Sequence, residues 1–145
     1  MTRVDFYVLQ AGAEQQRAVF ACRLAEKAHR HGLSIHIHTR GPAATANLDK
    51  LLWTFRDGSF LPHLTVDEAA QADPQDITRV HVGHGESSGP TDGLLINIGE
   101  DVPLFFSRFD RVAEIVGDDK SERERARDRF RFYRDRGYTL NTHKL

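Results

Sequence analysis

The residues best suited to chemistry lie near the C-terminus. Between Lys120 and Arg136 stand eight basic side chains, seven of them arginine, against four acidic ones. This segment carries +4 and the remainder of the chain −5, although the whole sums to −1. A local positive field selects an anionic partner, either a nucleic acid or an acidic protein. At about 100° per residue, Arg123, Arg127, Arg131 and Arg134 fall in one helical stripe, with Phe130 at its border and Ala126 and Tyr133 turned further toward the core. Guanidinium groups bind carboxylates through paired N–H bonds, and a neighbouring ring adds an apolar wall. The pattern therefore suits an acidic peptide with an apolar end. The plainer reading is a solvated helix face whose ion pairs, such as Glu122 or Glu124 with Arg125 to Arg129, exchange with water. Near-exclusive use of arginine over lysine favours the binding role.

Other reactive residue types form weaker patterns. Trp53, Phe55, Phe60 and Leu61 cluster around a Gly-Ser turn closed by Pro62 and His63. Aromatic residues at a turn are either anchors of a protein interface or part of the core, and the sequence does not separate the two. Among eight histidines, His36 and His38 alternate and so share one face of a strand, with His63, His81 and His84 as further candidate ligands. No carboxylate partner at ligand spacing and no His-Glu-x-x-His pattern accompanies them, so no metal is expected. The glycine-rich run from Gly83 to Gly89 follows a strand but lacks the Gly-Lys-Ser/Thr close of a phosphate loop, and it fails the dinucleotide spacing. Cys22 falls on an apolar helix face and not at a helix start, where its pKa would drop. No catalytic constellation is complete, and no cofactor is expected.

The elements that must position these residues follow from periodicity and punctuation. Val4 to Leu9 has the β-branched and aromatic character of a strand, and Gly12 punctuates it. Residues 14–31 carry Ala18, Cys22, Ala25 and Ala28 at helical spacing, with Gly32 as a stop. Residues 33–39 alternate as a strand, and 43–54 form a helix with Leu48, Leu51 and Leu52 inward. Arg56 to Ser59 is a turn and Phe60 to His63 a loop. Strands are expected at 78–82, 94–98 and 111–116, separated by a Gly/Pro-rich loop over 83–93 and a helical turn from Pro103 to Phe106. Ser121 with Glu124 has the spacing of a capping box for the last helix, and Gly137 suits its left-handed C-terminal position. Residues 138–141 close the chain as an edge strand. Strands alternating with helices predict an α/β fold, a three-layer α/β/α sandwich with a largely parallel central sheet.

Bulk properties bound the answer. A chain of 145 residues suits one domain spanning 1–145. No run approaches the roughly 20 apolar residues of a membrane span, so no membrane partner is expected. One cysteine excludes an intrachain disulfide, and with no signal-peptide pattern the expected location is cytoplasmic.

Several segments together resemble the chi subunit of bacterial DNA polymerase III. They are Asp5 to Leu9, Leu52-Trp53 with Ser59 to His63, Asp92 to Asn97, and Ala126 to Arg134 followed by Gly137-Tyr138. The resemblance implies an accessory subunit without catalysis. Such a subunit links the clamp-loader assembly, through a partner called psi, to the acidic C-terminal tail of single-stranded DNA-binding protein (SSB). It places the tail site at Arg123, Arg127, Phe130, Arg131 and Val116, with Phe130 where a tyrosine is common. It places the psi-facing surface, which in the family also serves a helicase-like partner, at Trp53, Phe60, Leu61 and Pro62. Contact with DNA would then be mainly indirect. Two other classes stay open on sequence alone. One is direct nucleic-acid binding by the arginine helix, which near-neutral total charge disfavours. The other is a small enzyme built on the α/β sheet, which the missing motifs disfavour.

Overall fold

The computed structural model describes residues 1–10, 14–58, 60–86 and 92–145. Gly12, Ser59 and the 87–91 part of the glycine-rich segment lie outside the described residues. In chain order the elements are β1 (Arg3–Val8), α1 (Glu14–Arg30), β2 (Ile35–His38), α2 (Pro42–Thr54), β3 (Leu64–Thr65), α3 (Val66–Gln71), β4 (Val80–Gly83), β5 (Leu94–Asn97), a 3-10 turn (Phe106–Arg108), β6 (Arg111–Val116), α4 (Lys120–Asp135) and β7 (Thr139–Lys144). The seven strands form one sheet in the order β3-β4-β2-β5-β6-β1-β7, and every pairing is parallel.

Parallel strands need crossover helices, and those helices cover both faces. The central strands β2, β4 and β5 are therefore buried at every position. On one face α1 and α2 pack Ala21, Cys22, Ala25, Leu48 and Leu52 onto Ile35, Ile37, Val82, Ile96 and Ile115. The small residues of α1 let its backbone lie close to the sheet. On the other face α4 and the 3-10 turn pack Ala126, Tyr133, Phe105, Phe106 and Phe109 onto Val4, Phe6, Leu95 and Val112. This is the sandwich expected from the sequence.

Several local expectations need correction. The last helix is capped by Asp119, whose Oδ2 accepts from the Glu122 amide at 3.1 Å. Ser121 and Glu124 do not form the capping box, because the helix starts before Ser121: Asp119 is the N-cap residue, Ser121 already lies in the first turn, and the Asp119 carboxylate favours the positive end of the helix dipole. The C-terminal stop is as expected. Gly137 has φ +82°, its amide bonds Arg134 O, and the Tyr138 amide bonds Tyr133 O, a complete Schellman motif. The segment after His63 holds β3 and α3, neither read from sequence. Thr65 and Glu68 close a true capping box there. Gly83 belongs to β4 and not to a loop, and a side chain at that position would collide with Val66.

His36, His38 and His81 are buried on the α4 face of the sheet beside Phe105 and Phe109. Neither ring nitrogen of His36 has a hydrogen-bond partner among the described residues. Burial pushes the His36 imidazole down to about 3, with His38 and His81 pushing the same way. Burial likewise lowers His38 to about 4, with His84 adding to it. In the unfolded chain both groups titrate near 6.5. The unfolded state thus holds more protons below that value, and stability is full above pH ~6.5 and falls as the pH drops toward ~4. The melting temperature should decline between pH ~7 and ~5, above the range where carboxylates protonate. A His36→Leu variant should show a shallower decline. Parallel curves for the two proteins would contradict this account.

Candidate functional site

The site begins with a carboxylate that has no business in a sheet centre unless it is neutralised. Glu114, on β6, is 0% exposed. Arg129 Nε donates to its Oε1 at 2.8 Å, the Tyr133 hydroxyl to its Oε2 at 2.7 Å, and the Asn97 amide to Oε2 at 3.0 Å. Arg129, itself 2% exposed, also donates to Glu122 at 2.7 Å and to the carbonyl of Glu100 at 3.0 Å. Glu122 is paired in turn with Arg17 of α1 at 3.3 Å, and Arg17 donates to the carbonyl of Ile115 at 2.7 Å. Burial and the Glu114 carboxylate both push the Tyr133 hydroxyl well above its ordinary range, so it stays a donor. Arg129 is thus no solvated member of a charge run. It bolts α4 to the sheet together with Tyr133. This network was not read from the sequence, although Glu114 stands alone among the apolar residues of Val112 to Val116.

Fixing that face of α4 turns the opposite arginines outward over β1. A groove of about 180 Å³ opens there, floored by Phe6, Val8, Val116 and Ala126. Arg123, Arg127 and Phe130 form its helix wall, and Thr142 of β7 its other side. The Phe130 ring meets Phe6 edge to face at 5.3 Å, which holds it upright beside the floor. The structure therefore brings together Arg123, Arg127, Phe130 and Val116 as expected. It adds Phe6, Val8 and Thr142, which alternation along the two strands would have placed on this face. The arginines differ in their freedom. Arg123 Nη2 donates to the carbonyl of Leu9 and to Asp118, each at 3.1 Å. Arg131 pairs with Asp128 at 2.9 Å and Arg134 with Asp135 at 3.2 Å, both contacts exposed. Arg131 is not among the groove's lining residues. Arg127 makes no hydrogen bond or ion pair among the described residues. It is an exposed guanidinium whose donors have no partner among the described residues, at the lip of an apolar groove.

The second expected surface is partly realised. Trp53 is 53% exposed, Phe60 83%, and Pro62 is also on the surface. Leu61 needs correction: it is 3% exposed and packs in the core with α1 and α2. The extended segment alternates, so Phe60 and Pro62 face out while Leu61 and His63 face in. His63 lies under Trp53, with ring centroids 4.3 Å apart. Its ring nitrogens sit 2.9 Å from the carbonyl of Leu61 and 3.0 Å from that of Asp49, which fixes the platform beneath the indole.

Among the described residues no group of three or more His, Cys, Asp or Glu is placed to hold a metal ion. Burial pushes the Cys22 thiol up to about 12, the opposite of an activated nucleophile. No helix among the described residues is long and apolar enough to cross a membrane.

The buried network makes a stability prediction. Arg129→Met leaves Glu114 buried without its cation and should cost roughly 3–5 kcal/mol in denaturant unfolding. Adding Glu114→Gln should recover part of that loss, since the stranded charge is gone. Arg125→Ala, on the exposed side, should stay within about 0.5 kcal/mol. A loss under about 1 kcal/mol for Arg129→Met would contradict the assigned role.

Comparison with known proteins agrees with this architecture. Residues 1–141 match the family described as "DNA polymerase III chi subunit, HolC". The chain is 44% identical over 145 residues to the DNA polymerase III subunit chi of Pseudomonas aeruginosa, covering 100% of this chain and 98% of that protein. It is 28% identical over 142 residues to the subunit chi of Haemophilus influenzae, covering 97% and 96% of the two chains. Among solved structures, the crystal structure of T4 UvsW aligns with a TM-score of 0.63 at 9% identity, over 99% of this chain and 42% of that one. That likeness concerns the fold alone. A match over nearly the whole length, with a fold that accommodates it, shows that the chain belongs to the DNA polymerase III chi subunit family, accessory subunits of a DNA replication polymerase.

Proposed function

We propose that the chain is a non-catalytic adaptor whose α4 groove binds the acidic C-terminal tail of SSB. Its Trp53–Phe60 surface binds the psi subunit of the clamp loader or an equivalent partner. In this reading the protein works in the cytoplasm and touches DNA mainly through its partners. The observation that carries the tail assignment is Arg127, a guanidinium without a partner among the described residues and set beside an apolar groove. A C-terminal phenylalanine supplies both complements at once, a carboxylate for the guanidinium fork and a ring for the wall of Phe130, Phe6 and Val116. Arg131 and Arg134 hold only exposed ion pairs worth little, so acidic residues of a tail can displace Asp128 and Asp135 at small cost. Arg123 is more firmly held and contributes mainly field. Direct nucleic-acid binding by the same helix is less well supported, because the near-neutral total charge attracts a long polyanion weakly and the apolar floor of the groove has no complement in a row of phosphates.

Calorimetric titration with an acidic peptide ending in Pro-Phe tests the tail site. Arg127→Ala should cost roughly 2–5 kcal/mol of binding if the contact is desolvated. Arg131→Ala should cost about 0.2–1 kcal/mol, and that loss should fade in high salt. Arg127→Lys should fall between, lacking the planar fork. Parent-like binding by Arg127→Ala would place the site elsewhere.

The aromatic surface has its own test. Phe60→Ala should alter the unfolding free energy by no more than about 0.5 kcal/mol, since the ring touches little in this chain. It should nonetheless weaken a psi-type partner by on the order of 2 kcal/mol or more. A variant that unfolds the domain, or that binds the partner normally, would remove Phe60 from the interface.

A further inference from the structure

The groove has an unequal pair of walls. One is α4, and the other is β7, the last strand of the sheet. A peptide seated on Phe6 and Val116 can leave the groove away from the helix only by crossing β7 near Thr142. What it meets there is an open sheet edge. Leu145 N donates to Val8 O at 3.0 Å, so the amides and carbonyls of Asn141, His143 and Leu145 point inward to β1. Successive residues of a strand alternate, which turns the main-chain groups of Leu140, Thr142 and Lys144 outward. The register with β1 runs unbroken from Arg3–Thr139 to Val8–Lys144, with no bulge. β7 contains no proline and no acidic residue. Long edges of this kind are usually blunted, as the opposite edge is by the two-residue β3.

We infer that the outer edge of β7 is an extension of the peptide site, taking the residues upstream of the apolar C-terminus as an added eighth strand. The occupant is an extended acidic peptide. Main-chain bonds from Leu140, Thr142 and Lys144 would hold it without regard to its exact sequence, while the groove reads its end. Two features select this occupant. The edge is continuous with the groove through Thr142, whose side chain lines the groove and whose amide lies on the edge. The surroundings are positive, with Lys144 on the strand and Arg127 across the groove, and no carboxylate on β7 repels the peptide. The inference rests on the tail-binding reading of the groove.

Amide hydrogen exchange followed by NMR on the full chain tests it, using two acidic peptides ending in Pro-Phe. One is of about ten residues, enough to run beside six strand residues at roughly 3.3 Å each. The other is a short form that fills only the groove. In the free protein the amides of Asn141, His143 and Leu145 should be protected and those of Leu140, Thr142 and Lys144 not. The long peptide should slow exchange at Leu140, Thr142 and Lys144 by about tenfold or more, completing the alternate set. The short peptide should shift Phe130 and Arg127 signals without that protection. If the long peptide saturates the groove and the three amides still exchange freely, the edge is not used, while the groove assignment stands. If neither peptide shifts Phe130 or Arg127, the tail reading itself fails and this inference with it. Protection that grows with protein concentration in the absence of peptide would assign the edge to a second copy of this chain and overturn the proposal.

Discussion

Everything about the candidate site depends on one buried carboxylate. Glu114 sits in the middle of a parallel sheet where no water reaches it, and an isolated ion there would be costly by several kcal/mol. Its neutralisation needs a cation, hydrogen-bond donors and a fixed geometry. The chain supplies them from three directions, with Arg129 and Tyr133 from α4 and Asn97 from β5. Arg17 ties the same network back to α1 through Glu122, so helices on opposite faces of the sheet share one electrostatic knot. A hydrophobic contact would let α4 slide or roll by a fraction of a turn. A guanidinium held by two carboxylates and a carbonyl does not. The rotational setting of α4, and hence the direction of every other arginine on it, follows from that requirement.

The consequence is a division of labour within one charge run. Arg129 is spent inward on structure. Arg123 spans Leu9 and Asp118 and pins the start of the helix to the end of β1. Arg131 and Arg134 hold exposed carboxylates that compete weakly with water. Among the described residues, Arg127 is the one arginine of the stripe whose donors stay unpaired, and it stands beside an apolar floor. A positive patch of this make-up suits a ligand with one well-defined carboxylate and an apolar group next to it better than it suits a uniform row of phosphates. The platform of Trp53 over His63 lies on another part of the surface, built from α2 and the segment that follows it. The molecule therefore presents two chemically distinct faces, as the proposed adaptor role requires.

Much of this was legible in the sequence, for reasons that are local. The periodicities of 14–31 and 43–54 and the largely apolar runs at 94–96 and 112–116 fix helices and strands, and their alternation implies the parallel sheet. The stripe of Arg123, Arg127 and Phe130 follows from helix geometry alone. What was not legible depends on partners distant along the chain. Arg127 and Arg129 are the same residue type two positions apart. Their opposite fates are set by Glu114, which belongs to another element. Still, Glu122, Ala126, Arg129 and Tyr133 share the 3–4 spacing of a buried face, and a carboxylate inside Val112 to Val116 hinted that something had to meet it. The resemblance places Leu61 on the surface with Phe60 and Pro62, whereas the extended segment alternates and turns Leu61 into the core. Asp119 outcompeted Ser121 as the cap, a choice that turns on where the chain leaves β6. The short β3 and α3 carry too few apolar residues for any periodicity to show.

The central claim is that Arg127 and a terminal carboxylate form a direct pair in this groove. A double-mutant cycle measures that pair and nothing else: parent and Arg127→Ala protein, each titrated with the acidic peptide as free acid and as C-terminal amide. The account predicts a coupling energy of roughly 1.5 kcal/mol or more, with amidation hurting the parent far more than the variant. Losses that add to within about 0.5 kcal/mol would show that the two groups do not touch, and the reading of the groove would be wrong at its centre.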